Sequence, residues 1–159
     1  MSCCSTPRRG LLWAACLCGV AAPAGAQGVR ELQVHVGAVA SRPFFGGGGL
    51  GFALRDADRN RWQGALAVGF LGGGGSGARA EFAYHFLLDP RKRLGSAVYG
   101  GGGLTALFAG GRITPYVLLV VGVENAPGGA GGSFVEIGVG GGVRLAVGYR
   151  WRKRNAPGS

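Results

Sequence analysis

From residue 29 onward, apolar side chains alternate with polar or small ones, and Gly, Asp, Asn and Pro clusters interrupt the alternation at short intervals. A period of two marks half-buried β-strands, and no stretch keeps the 3.6-residue period of an amphipathic helix. In the first run Leu32, Val34, Val36 and Ala38 share one face, opposite Glu31, Gln33, His35 and Gly37. In the last, Val143, Leu145, Val147, Tyr149 and Trp151 oppose Gly142, Arg144, Ala146, Gly148 and Arg150. Counting between them predicts eight strands, over 31–39, 48–55, 61–71, 78–88, 97–108, 112–124, 133–140 and 142–151. The joining segments are short, so sequential strands pair antiparallel as an up-and-down meander. The fold class is therefore all-β, an eight-stranded antiparallel up-and-down β-barrel.

Residues 1–26 read differently. Arg8 and Arg9 precede an apolar stretch from Leu11 to Ala22, then Pro23 and the small-residue site Ala24-Gly25-Ala26. A basic start, a short apolar run and small residues at the end make a cleavable signal peptide. The run is too short to span a bilayer as a helix, which takes roughly 20 residues. All four cysteines (Cys3, Cys4, Cys16 and Cys18) lie in this leader, so the exported chain has no disulfide and no thiolate site. The expected organisation is a leader (1–26), a barrel domain (27–151) and a basic flexible tail (152–159).

Composition decides which way the apolar faces point. The chain has 35 Gly among 159 residues and only 15% charged residues. That Gly share is about three times the usual one. Beyond the leader there are 15 Lys and Arg against 7 Asp and Glu, a net charge of +8. The faces opposite the apolar ones carry Gly, Ala and Thr with about one ionic or amide residue per strand. As a water-facing exterior they would solvate the protein poorly. As the lining of a membrane barrel they leave room for a few long polar groups to cross the lumen. An eight-stranded barrel is narrow enough for side chains to fill it. Glu31, His35, Arg55, Arg61, Arg79, Glu81, His85, Glu124, Glu136, Arg144 and Arg150 form the expected lumen network. Within it, paired Arg and Glu plug the barrel, because unpaired charge there is costly. Trp62, Tyr84, Tyr149 and Trp151 lie toward strand ends, where aromatic residues anchor at a membrane interface.

On these residues the chain resembles the small eight-stranded outer-membrane β-barrel proteins. The resemblance rests on the leader, the dyad alternation, the strand count and the aromatic-ended last strand Gly148-Tyr149-Arg150-Trp151. It implies a location in the outer membrane, the lipid bilayer as partner and the outer-membrane assembly machinery as a second one. With both termini periplasmic, the polar segments 56–60 and 89–95 would face the periplasm.

Candidate chemistry changes little. The glycine runs lack the Gly-Lys-Ser/Thr or following helix that a phosphate loop needs. His35 and His85 have no third His or Cys to complete a metal set. A lipid-cleaving barrel would require His85 to meet a serine and an acid. The expected cofactor set is empty. Arg150, Arg152, Lys153 and Arg154 form a basic end, and Arg91-Lys92-Arg93 a basic turn. Export argues against nucleic acid and makes anionic lipid headgroups the better binding partner, with simple solvated charge as the default reading. The leading expectation is an integral outer-membrane barrel with a structural or membrane-interaction role and no catalysis. The alternative is a soluble periplasmic barrel of lipocalin type, binding an apolar ligand inside. The direction of Leu32, Val34, Val36, Val143, Leu145 and Val147 separates the two. The sequence leaves the oligomeric state open.

Overall fold

The computed structural model describes residues 28–56, 59–89 and 92–154. The leader (1–26) and residues 155–159 of the expected tail lie outside the described residues. Eight strands follow one another: β1 (Val29–Ala40), β2 (Phe45–Asp56), β3 (Asn60–Leu71), β4 (Ser76–Leu87), β5 (Ser96–Ala109), β6 (Arg112–Asn125), β7 (Gly131–Val139) and β8 (Val143–Arg154). Each pairs antiparallel with its sequence neighbour, and β8 returns to β1 to close the barrel. Closure removes the free edges that a glycine-rich sheet would otherwise expose.

Most strand boundaries fall within two residues of the sequence reading, and two differ by three. β2 starts at Phe45, three residues before the expected start, because Gly46 to Gly48 pair with Phe70 to Val68. β8 continues through Arg152 to Arg154, where 151 was the expected end. Those residues pair with Glu31 to Val29 on β1, so the strand takes the first part of the expected tail.

The side-chain alternation settles the polarity. On β1 Glu31, Gln33 and His35 are buried, whereas Leu32 and Val36 are 53% and 59% exposed. Val34, Val143, Leu145 and Val147 face outward too. Apolar residues thus clothe the outside and polar ones fill the centre. A small apolar cluster of Val39, Phe45, Ala67 and Leu107 closes the interior near the β1–β2 turn. A second, of Ala83, Leu118 and Val120, lines the wall.

The two ends are unequal. At the end where β1 starts and β8 finishes, called the terminal end, lie the connections between β2 and β3, β4 and β5, and β6 and β7. At the distal end they are 41–44, 72–75, 110–111 and 140–142. The two-residue turn Gly110-Gly111 has φ values of 55° and 74°. Both positions need positive φ, which is why glycine occupies them. β6 pairs with β7 only from Leu119 to Glu124, so its distal half is paired on the β5 side alone. Pro115 sits in that half and has no N–H to offer a foreign strand.

Inward glycines let the strands coil this tightly. A Cβ on Gly49 would run into the Leu66 carbonyl oxygen and come within 2.6 Å of Ala67 Cα. Both obstacles are backbone, so no rotamer change relieves them. Gly64 faces outward on β3, and a Cβ there meets nothing within 4 Å. Gly49→Ala is therefore expected to cost about 1–3 kcal/mol, as overpacking does. Gly64→Ala should be neutral or gain up to about 1 kcal/mol, because alanine is the more favourable residue inside a strand. Urea unfolding of the two variants in lipid vesicles checks this, and equal effects would contradict it.

Candidate functional site: the charged barrel interior

The chain contains four glutamates, and all four project into the barrel: Glu31 from β1, Glu81 from β4, Glu124 from β6 and Glu136 from β7. Six arginines meet them: Arg55, Arg61, Arg79, Arg144, Arg150 and Arg152. Strand parity selects them, because each stands an even number of residues from the glycines and alanines of its own inward face.

Two layers are visible. Near the termini, Arg55 spans Glu31 and Glu124 at 3.0 and 2.8 Å. Arg61 does the same at 2.9 and 2.5 Å. Arg152 also reaches both, at 3.3 and 3.2 Å. Toward the distal end, Arg144 grips Glu81 with Nε and Nη2, at 3.0 and 2.9 Å, and donates to Glu136 at 2.9 Å. Arg79 adds a contact to Glu81 at 2.9 Å and donates to the Gly140 carbonyl.

Arg150 joins the layers. It touches Glu124 at 3.0 Å and Glu136 at 2.8 Å. Its Nε donates to Gln33 at 2.8 Å, and its Nη2 to Gln63 at 3.1 Å and to the Tyr99 hydroxyl at 3.2 Å. Tyr99 in turn donates to Glu136 at 2.7 Å. The Arg150 guanidinium lies 3.9 Å from the Phe134 ring centre. A planar fork with five donors suits this many acceptors, and a lysine could not replace it.

Six guanidinium groups outnumber four carboxylates, and other groups take up part of the surplus, while Arg55 Nε and Arg61 Nη1 have no hydrogen-bond partner among the described residues. Backbone carbonyls of Pro127, Ala126 and Gly140 accept from Arg55, Arg152 and Arg79. The aromatic faces of Tyr99 and Phe134 take further positive charge. The turn at 126–130 is held across this mouth of the barrel by backbone bonds from Ala126 N to Gly95 O and from Gly128 N to Arg93 O, at 2.8 and 3.1 Å.

Glycine makes the space. A Cβ at Gly122 would meet the Tyr99 ring, and one at Gly148 the Phe134 ring. One at Gly51 would lie 2.6 Å from Gln33 Nε2. Small residues on one strand thus accept large ones from another, to the density of a packed interior.

All eleven residues expected in the lumen point inward. Nine are ionic and join the network. His35 and His85 are buried beside it and have no hydrogen-bond partner at Nδ1 among the described residues. His85 packs against the Tyr99 ring at 5.2 Å, and neither a serine nor an acid bonds to it. No group of three or more His, Cys, Asp and Glu among the described residues could hold a metal. His35, Arg79, Glu81 and Arg144 line an interior pocket of about 20 Å³, room for about one water.

Outside, Trp62, Tyr84, Tyr149 and Trp151 stand near the terminal end. Trp62 and Tyr84 have ring centres 4.4 Å apart, and Tyr149 and Trp151 5.1 Å apart. Phe44 and Phe70, 6.0 Å apart, occupy the distal side. Sequence reasoning missed Arg152, Gln33, Gln63, Tyr99 and Phe134 as network members. Arg150, read as part of a basic end, points inward with Arg152, so neither is available to lipid headgroups. Of that end, Lys153 is exposed on the outer face.

No family model matches the chain, and no curated protein matches it by sequence. Solved structures do match by shape. The N-terminal β-barrel domain of OprF from Pseudomonas aeruginosa superimposes with a TM-score of 0.60 at 12% identity, covering 80% of this chain and all of that one. Neisserial surface protein A (NspA) superimposes with a TM-score of 0.54 at 13% identity, covering 80% and 98%. At such low identity the likeness is one of architecture: the chain has the fold of the small eight-stranded outer-membrane β-barrels.

Proposed function

We propose that the chain is an integral outer-membrane β-barrel with a structural or membrane-interaction role, its lumen plugged by the Arg/Glu network and without catalysis. One observation carries the reading. Among the described residues thirty large apolar side chains are exposed, while every glutamate is inside. Soluble monomers rarely expose a continuous apolar patch beyond about 300–600 Å². Strands of 9 to 14 residues match the roughly 9–11 residues that a tilted strand needs to cross hydrocarbon.

The same geometry weighs against the soluble alternative. An apolar ligand inside would meet Arg and Glu, and a pocket of about 20 Å³ is far below the roughly 300 Å³ at which ligand pockets begin. The plug also disfavours a water-filled conduit, because Arg150 spans both layers at the centre.

The test is cell fractionation followed by gel electrophoresis of boiled and unboiled protein. The expected result is recovery with membranes and a band that shifts on boiling. Release into the soluble periplasmic fraction would overturn the reading.

A further inference from the structure

We propose that the terminal end of the barrel binds anionic phospholipid headgroups through a collar of outward cations, and so sits in an anionic leaflet. This rests on the reading of the chain as a membrane barrel. Among described residues, Arg30, Arg59, Lys92, Arg93 and Lys153 lie at this end and are exposed, against Arg42 and Arg112 at the distal end. Among the described residues, Asp56 and Asp89 are the acids beside them.

Two features ask for a phosphate rather than for water. Arg30 and Lys153 are direct cross-strand partners on the outer face. Like charges placed opposite each other repel and weaken a sheet. The ion pairs among the described residues are all internal and include neither of them. The next outward pair along is Leu32 with Trp151, so the two cations stand just beyond the aromatic band. That is the depth of lipid headgroups.

The second feature is the β4–β5 turn. Leu88 and Leu94, 68% and 83% exposed, flank Lys92 and Arg93. Backbone bonds from Lys92 N to Asp89 O and from Gly128 N to Arg93 O, each 3.1 Å, hold the turn in place. Water would leave the leucines unburied, and hydrocarbon would strand the cations. The boundary between acyl chains and phosphates suits both, as it does for interfacial helices with mixed faces. A diester phosphate between Arg30 and Lys153 would relieve their repulsion.

Trp62 and Trp151 both lie in the adjacent aromatic band, and Trp13 belongs to the leader. Their fluorescence therefore reports the lipid beside the collar. The leaderless chain is refolded into phosphatidylcholine vesicles in which the same minor fraction of lipid is brominated phosphatidylglycerol or brominated phosphatidylcholine. The expected result is about twofold greater quenching by the brominated phosphatidylglycerol, as local enrichment by basic residues predicts. The excess should fall with salt, and it should fall in Arg30→Gln/Lys153→Gln and in Lys92→Gln/Arg93→Gln. Equal quenching in a parent protein that shows the heat-shifted band overturns the collar alone. No heat-shifted band in either vesicle overturns the membrane reading and the collar with it. Loss of the excess on adding inorganic phosphate at matched ionic strength would assign the site to free phosphate and overturn the lipid.

Discussion

Arg150→Ala is expected to destabilise the barrel by about 3–5 kcal/mol, the usual cost of removing one partner from a buried ion pair. The side chain is fully buried and contacts Glu124, Glu136, Gln33, Gln63 and Tyr99 together. Its loss leaves Glu136 with Arg144 as its one remaining guanidinium partner among the described residues and deprives Gln33 and Gln63 of a donor at the centre of a packed interior. Burying polar groups without partners is what makes the change expensive. Arg150→Lys keeps the charge and loses the fork, so it should fall between the parent and the alanine variant. Arg42→Ala, in an exposed distal turn, should stay within about 0.5 kcal/mol, as surface changes do. Urea titration of vesicle-folded protein, followed by tryptophan fluorescence, gives all three values. An alanine variant within 1 kcal/mol of the parent, a threshold well below the expected range, would show that the network contributes little to holding the barrel closed.

Leu66→Arg is expected to cost about 2–4 kcal/mol in a bilayer, the range for a lipid-facing arginine at the midplane of a membrane barrel. Leu66 is 56% exposed, near the middle of β3, and pairs with Leu50 and Ala80. Ile113, beside the β5–β6 turn, is also outward. Ile113→Arg should cost no more than about 1 kcal/mol, since the arginine reaches the interface there. The contrast between the two positions carries the information. If this surface met water, both substitutions would be nearly neutral. Equal, small effects in the vesicle titration would therefore remove the hydrocarbon-facing assignment.

Much of this was readable from the alternation alone. Parity placed Leu32, Val34 and Val36 on one side and Glu31 and His35 on the other without knowledge of the fold. The short turns then required antiparallel neighbours. Scarcity of charge on the outside chose lipid over water. Other parts were hidden for identifiable reasons. Tyr99 stands two residues before Gly101 on the inward face, but the run from Gly100 to Gly103 blurred the period there. Gln33 and Gln63 were on the correct face, and only the cross-barrel geometry shows that they accept from Arg150. Phe134 shares the inward face with Glu136 and Gly138, where its ring interrupts the polar and small residues. It is there because an aromatic face can carry a guanidinium. Arg152 was hidden by the run of basic residues after Trp151, which resembles a solvated tail. Its parity with Arg150 was the available signal.

The partners of the network come from both ends of the chain: Arg152 meets Glu31, and Arg150 meets Gln33, across more than a hundred residues. A half-made, open sheet would hold ionised side chains such as Glu31, Arg55 and Arg61 whose cross-barrel mates had not all arrived. Hydrocarbon tolerates no such intermediate. If the barrel enters a bilayer as proposed, insertion and seam closure are concerted, with β8 as the latch that completes the network against β1.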